Sequence, residues 1–390
     1  MAISKYIRNG SFALLLLSAL LLLSWVYLSM PEANAQQQPE HVVLQPSGVI
    51  EVPPYGAMAW FPDSRRLAIA SNGIRIVDTV DGTVSPPLTK QDGLRLFISP
   101  NGKYLAALLG IGFRLFATET WSELAAYNSQ TGNCKAGYLR GLAFTADSSS
   151  IWLGCGNRGI QGAIKLSLPN LEVVDRLEVA PEWTPESDLS RRYFIHIQYP
   201  VPILHLVTTD YETPSTPGVL TPARKQVRAY DLESKRQLVD MTFERKEDWP
   251  SATSPSVYLS DDLSTYLVYN AYPLPSGVVS SFNAATKTKI AVFHPPLDQE
   301  SAPSQTKLDV LLGRRLLFKD DKVIAWAIKL PSRDGAILGW NYKTGKLAQE
   351  IKLPYALSEI ILSPDKTKIA VMKEFAPAEQ RTIQIYTVRD

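Results

Sequence analysis

Between residues 59 and 83 the chain reads as three short apolar runs separated by Pro62-Asp63, Asn72-Gly73 and Asp81-Gly82. Each pair suits the backbone angles that reverse a chain tightly, so the stretch reads as a meander of short antiparallel strands. Approximate copies recur to the C-terminus. Residues 94–127 turn at Pro100-Asn101-Gly102-Lys103, and residues 138–179 turn at Ala146-Asp147-Ser148. Residues 193–243 form the most distorted copy, meeting at Tyr199-Pro200-Val201-Pro202 and carrying an insertion rich in Pro and Thr at 211–224. Residues 256–293, 308–353 and 357–388 complete the series. The 28 Pro and the scarcity of helical periodicity beyond the N-terminus agree with an all-β chain.

The two ends of this series are complementary. The last unit has three strands and then the chain stops, while the strand Val49-Ile50-Glu51-Val52 precedes the first unit with no hairpin partner. Pairing that strand beside residues 383–388 joins the ends and removes exposed sheet edges. The expected fold is therefore an all-β, seven-bladed β-propeller, closed by an N-terminal strand that completes the last blade. Seven units of roughly fifty residues fit residues 41–390 as a single domain.

The first 35 residues read as an address. Lys5 and Arg8 precede an uncharged apolar run over 11–30, and Pro31-Glu32-Ala33-Asn34-Ala35 offers an Ala-x-Ala cleavage site before the polar leader 36–40. Cleavage is the expectation, and an uncleaved membrane anchor is the other reading, because the run is long enough to cross a bilayer. Both put the body outside the cytoplasm, periplasmic or secreted. Cys134 and Cys155 suit an oxidising compartment and are expected to form a disulfide within one repeat, adding about 3 kcal/mol through chain entropy. Two buried thiols are the alternative. A formal net charge of +2 gives no concentrated basic field, which argues against nucleic acid as a partner.

The repeats resemble the WD-repeat and YVTN-type propeller superfamily from about His41 onward. The matching residues are the first hairpin turns, Phe61-Pro62-Asp63, Ser99-Pro100-Asn101-Gly102 and Ser363-Pro364-Asp365, and the third-strand ends Val77-Asp78, Tyr230-Asp231, Phe282-Asn283 and Trp340-Asn341. At those ends the Asp or Asn can hydrogen-bond into the next turn. The Gly-His pair of strict WD repeats is absent, so the buried Asp-His-Ser-Trp network of that family is not expected.

In such a ring the short turns fall on one face and the long connections on the other. Those connections are residues 180–192, 211–224, 244–255, 272–277, 294–306 and 374–381, and loops on a rigid scaffold commonly carry binding residues. Around the fourth and fifth units they hold Trp183, Arg192, Tyr211, Glu212, Arg224, Trp249 and Tyr272, with Asp248 among them. Aromatic and Arg side chains anchor recognition surfaces; the same aromatics could instead pin their own loops to the rim. His196 and His205 fall opposite each other if the turn centres on Pro200-Val201. They could then hold a metal with Asp210 or Glu212, or be two partly buried, hydrogen-bonded histidines.

No Gly-x-Ser-x-Gly elbow, His-Glu-x-x-His helix, phosphate loop or dinucleotide fingerprint occurs. The function expected is a non-catalytic module with no cofactor, binding a protein or small ligand through the long-loop face around blades 4 and 5. A membrane partner follows only if the N-terminal segment stays uncleaved. The alternative is a periplasmic enzyme or enzyme subunit using the central channel, whether lactonase-like, hydrolytic or the large subunit of a dehydrogenase complex. Fold analogy is its support.

Overall fold

A computed structural model describes residues 43–51, 56–90, 93, 95–109, 111–131, 134, 139, 141–156, 161–180, 191–211, 222–244, 256–269, 279–293, 310–312, 316–329, 334–373 and 382–389. The expected leader, the cleavage site and most of the long connections lie outside them. The described elements are β-strands arranged as seven antiparallel sheets.

The first strand in the chain, β1 (Val43–Glu51), belongs to the last sheet. Blade 1 is β2 (Ala57–Trp60), β3 (Arg66–Ala70) and β4 (Ile74–Asp78). Blade 2 is β5 (Arg95–Ile98), β6 (Tyr104–Leu108), β7 (Gly112–Ala117) and β8 (Glu123–Asn128). Blade 3 is β9 (Leu142–Phe144), β10 (Ser150–Cys155), β11 (Gln161–Ser167) and β12 (Val173–Ala180). Blade 4 is β13 (Arg191–Gln198), β14 (Ile203–Tyr211), β15 (Pro222–Asp231) and β16 (Gln237–Glu244). Blade 5 is β17 (Ser256–Leu259), β18 (Thr265–Tyr269), β19 (Val279–Asn283) and β20 (Lys289–Phe293).

In blade 6 the inner strand is interrupted. Both β21 (Val310–Leu312) and β22 (Leu317–Lys319) pair with β23 (Lys322–Lys329), which is followed by β24 (Gly335–Asn341) and β25 (Leu347–Leu353). Blade 7 is β26 (Leu357–Leu362), β27 (Lys368–Lys373) and β28 (Thr382–Arg389). β1 lies antiparallel beside β28, from Val43 opposite Arg389 to Glu51 opposite Thr382, with a bulge between Pro46 and Gly48. The strand expected at 49–52 is thus longer, nine residues from Val43 to Glu51.

The ring follows from burial on both faces of each sheet. An inner strand lies between two neighbouring blades, so its sequence is a continuous apolar run, as in β2 and β9, where every residue is buried. An outer strand keeps one face in water and alternates, as along Glu123–Asn128 of β8. The core is accordingly divided into seven apolar seams, one between each pair of adjacent blades. The seam from blade 7 to blade 1 joins Ile50, Met58, Trp60, Ile361 and Ile385, and the Trp60 indole N–H donates to the Ile361 carbonyl at 3.3 Å.

The turn from inner to second strand repeats almost atom for atom. In blades 2, 3, 5 and 7 the hydroxyl of Ser99, Thr145, Ser260 or Ser363 donates to Asn101, Asp147, Asp262 or Asp365 at 2.5–2.8 Å. The same hydroxyl accepts the amide five residues on, from Tyr104, Ser150, Thr265 or Lys368, at 2.9–3.1 Å. The residue after the Asn or Asp takes a positive φ, and it is Gly102, Ser148, Leu263 or Lys366. Side-chain oxygen therefore satisfies backbone donors that a buried turn would otherwise strand. The Asp147 carboxyl is held at about 2 by the Thr145 hydroxyl first, then by the amide and hydroxyl of Ser149.

Ser148 also ties blades together, its hydroxyl accepting the Asn101 amide of blade 2 at 3.1 Å. Ser64 does the same for the Asp365 amide of blade 7. The third-strand ends behave as read from sequence: Asp78, Asp231, Asn283 and Asn341 each accept two amides of the following turn.

Blade 1 has three strands and an isolated bridge from Val77 to Val84 in place of a fourth. Its open edge is covered by the segment that follows, whose Ser85 and Leu88 amides donate to the Ile76 and Ile74 carbonyls at 2.8 Å and whose side chains accept in return. The Ile76 amide donates to the Ser85 hydroxyl at 2.9 Å and the Ile74 amide to the Thr89 hydroxyl at 3.1 Å. Gly73, at φ 104°, lets this covering segment approach, because a Cβ there would run into the Thr89 carbonyl oxygen.

Removing the turn hydroxyl should carry a uniform penalty. Thr145→Val, Ser260→Ala and Ser363→Ala each leave a backbone amide without its acceptor, and each should lose about 1–3 kcal/mol in urea unfolding. Losses that scatter from zero to well beyond that range would show that the repeated geometry is not a repeated energy.

Candidate functional site

The meander places the turns from inner to second strand and from third to outer strand on one face. The connections from second to third strand, and from each blade to the next, fall on the other. The described turns of the first face are short, and their polar groups are satisfied internally. Exposed ion pairs lie among them, including Lys235 with Asp175 at 2.5 Å and Arg65 with Asp78 at 2.6 Å, while Lys366 pairs with Asp261. Such pairs in water contribute little.

On the opposite face the connections of blades 4 and 5 are long, as are 129–141 and 294–309. Residues 181–190 precede β13, 212–221 join β14 to β15, 245–255 precede β17, and 270–278 join β18 to β19. Trp183, Glu212, Trp249 and Tyr272 fall in these segments, outside the described residues. Arg192 and Tyr211 are placed by their backbones alone, near the start of β13 and at the end of β14. Arg224 is exposed near the start of β15, with its guanidinium 3.4 Å from the Thr242 hydroxyl. The elements thus bring Arg192, Tyr211 and Arg224 to the same end of blade 4, since Arg192 pairs with Thr209 and Arg224 with Asp210.

Beneath that end lies a polar seam in an otherwise apolar ring. β13 departs from a continuous apolar run as Ile195-His196-Ile197-Gln198, and the alternation sends the two polar residues to the face opposite the isoleucines. Ile195 and Ile197 pack toward blade 3 with Trp152. Ile203 and Val207, which share a strand face with His205, pack toward Val257, Leu259 and Tyr266 of blade 5. His196 and His205 are paired residues, as the Pro200-Val201 turn implied, and their rings stack at 6.1 Å. Tyr258 meets His196 edge-on at 6.0 Å, and Tyr266 lies 6.1 Å from His205.

Gln198 is the bridge across this seam. Its side-chain nitrogen donates to the Leu259 carbonyl at 2.8 Å, and its oxygen accepts the Leu259 amide at 2.9 Å. An amide side chain thereby does for two blades what a backbone ladder does within one. The oxygen of Gln198 also lies 2.9 Å from Nε2 of the fully buried His205. A carbonyl oxygen only accepts, so Nε2 carries the proton and Nδ1 is the bare nitrogen. Nδ1 of His205 and the Tyr266 hydroxyl have no hydrogen-bond partner among the described residues. Burial holds the His205 imidazolium pKa well below its ordinary value, and the neighbouring His196 lowers it further. Nothing in the sequence announced Gln198; the interrupted apolar run of β13 was the available signal.

Among the described residues no three His, Cys, Asp or Glu side chains gather closely enough to hold a metal ion. Glu212 lies outside them. On the same face of blade 4, one strand further out, Lys225 is buried in β15 with its ammonium pKa lowered to about 8 by burial.

Cys134 and Cys155 form a disulfide with their Cα atoms 5.3 Å apart. Cys155 ends β10, whereas Cys134 sits in the connection from β8 to β9, so the bond fastens a blade-to-blade connection to blade 3 rather than lying within one meander. Both sulfurs are buried in the apolar seam of blades 2 and 3.

Comparison with known proteins gives fold alone. No protein-family model matches the chain, and no curated protein matches it in sequence. Among solved structures it is similar to a chain of the "Crystal Structure of Mitotic Checkpoint Complex", at 13% identity and a TM-score of 0.54, covering 93% of this chain and 97% of that one. It is also similar to the β-propeller domain of Myceliophteria thermophila Cps50 (Swd1), at 12% identity and a TM-score of 0.58, covering 88% of this chain and 100% of that one. The architecture is that of a β-propeller.

Two changes test this region. Gln198→Met keeps the length but removes both bonds to Leu259, orphaning buried backbone groups. It should lose about 2–4 kcal/mol in denaturant titration, more than its apolar neighbours' conservative swaps. Reducing the Cys134–Cys155 bond, or replacing both residues by Ala, should lower stability by about 3 kcal/mol for a loop of this size. An unchanged midpoint under reductant would remove the bond from the stabilising interactions.

Proposed function

We propose that the chain is an exported, non-catalytic propeller that binds a protein partner through the long-connection face of blades 4 and 5. The observation that carries the reading is the asymmetry between the two faces. One face is finished with short turns that satisfy their own polar groups, while the other bears connections about twice as long on the strands of blades 4 and 5. Trp183, Arg192, Tyr211, Glu212, Arg224, Trp249 and Tyr272 belong to those connections or to the strand ends that bear them. Aromatic and Arg side chains on a rigid base can engage a partner with little loss of conformational entropy. The likeness to a chain of a multiprotein assembly agrees with a protein partner. Export rests on the basic, apolar and Ala-x-Ala pattern of residues 1–35.

The experiment is affinity capture from the native exported fraction, with mass spectrometry of what co-purifies, repeated with a Trp183→Ala/Trp249→Ala variant. The partner recovered with the parent protein should be lost or reduced more than tenfold in the variant, with unchanged thermal stability. A variant that retains every partner would exclude this face.

A further inference from the structure

We propose that the seam between blades 4 and 5 is an acid-sensitive joint, in which protonation of His205 separates β13 from β17 while the other six seams stay closed. The inference is independent of what the neighbouring connections bind.

The argument begins with hydrogen-bond chemistry. The Leu259 amide can only donate and its carbonyl can only accept, which fixes the orientation of the Gln198 side chain between them. That orientation gives Nε2 of His205 its proton and leaves Nδ1 bare. Nδ1 is buried without a partner among the described residues, and His205 has no exposed surface. A second proton would therefore create a buried cation whose new N–H has no acceptor in place. Such a group is accommodated by opening to water rather than by staying closed.

The surroundings offer that cation no relief. By strand register or ring contact, the titratable and charged groups that the described elements present on this face are Arg192 and His196 from β13, Lys225 and Asp231 from β15, Tyr258 from β17 and Tyr266 from β18. Lys225 adds like charge when protonated, and so does His196. Asp231 is the anion among them, and it stands at the turn end of β15 with its carboxylate accepting the amides of Glu233 and Ser234. Among the described residues no other seam holds a histidine, and the buried Lys319 and Lys322 stand at the inner turn of blade 6.

The direction with pH follows from the closed joint disfavouring the protonated ring. An opened His205 titrates near its ordinary value of about 6.5. Above that pH both states are neutral, and the joint keeps its full stability. As pH falls below about 6.5 the opened state takes up a proton that the closed state refuses, so the closed state loses ground, by up to tenfold per pH unit.

Backbone hydrogen exchange on the full chain between pH 7.5 and 5 reads this directly, once corrected for the intrinsic pH dependence of exchange. Protection of β13 and β17 should fall by up to tenfold per unit below about pH 6.5, while β5 and β9 keep theirs. His205→Gln should lack the fall. A flat response in β13 and β17, an equal fall in β5 and β9, or a fall retained in His205→Gln would each overturn the proposal. If that variant does not fold, the histidine ring signals of the parent protein decide by NMR. A His205 ring that stays neutral and Nε2-protonated in the folded state down to pH 5 supports the joint; one that titrates near 6.5 without any loss of β13 protection overturns it.

Discussion

The structure depends on face-to-face packing between blades more than on any bond within a blade. A four-stranded sheet of twenty-odd residues cannot bury both its faces by itself, and here each sheet is sandwiched between two others. The seven apolar seams share the burial, and the chain carries no central core. This explains the sequence at a glance: inner strands such as Ala57–Trp60 are apolar throughout because both their faces are covered, while outer strands alternate. It also explains why a polar exception at one seam matters. Gln198 and His205 hold two blades together by directional bonds where the rest of the ring relies on non-directional contact.

Much of the architecture was legible because its turns are chemical signatures. Ser99, Thr145, Ser260 and Ser363 precede Asn or Asp at the same offset, and that spacing lets one hydroxyl and one side-chain oxygen serve three backbone or side-chain donors. The Asp or Asn at the third-strand ends marked the next turn for the same reason. The pairing of His196 with His205 followed from locating one turn, since a hairpin's register is fixed once its turn is known.

What was not legible depended on neighbours distant in sequence. The Gln198 bridge to Leu259 spans 61 residues, and no local pattern encodes which backbone a buried amide will meet. The disulfide looked internal to one repeat because Cys134 and Cys155 are close in sequence, but the boundary between blades runs between them. The split inner strand of blade 6 was also hidden, since β21 and β22 together have the length of an ordinary strand and pair with one partner. The candidate recognition residues sit in connections whose composition identifies them as such but whose arrangement no periodicity dictates.

The hydroxyl-covered flank of blade 1 has a consequence for how this molecule can meet others. A bare outer strand is a template on which a foreign segment can add itself through main-chain bonds. The Ser85 and Thr89 hydroxyls occupy the donors of Ile76 and Ile74 that such an intruder would need, the Ser85 and Leu88 amides occupy their carbonyls, and Pro86-Pro87 between them offers no amide to a newcomer. At this flank, lateral growth into fibres or strand-exchanged pairs is thereby blocked, and a visitor must come to side chains rather than to backbone.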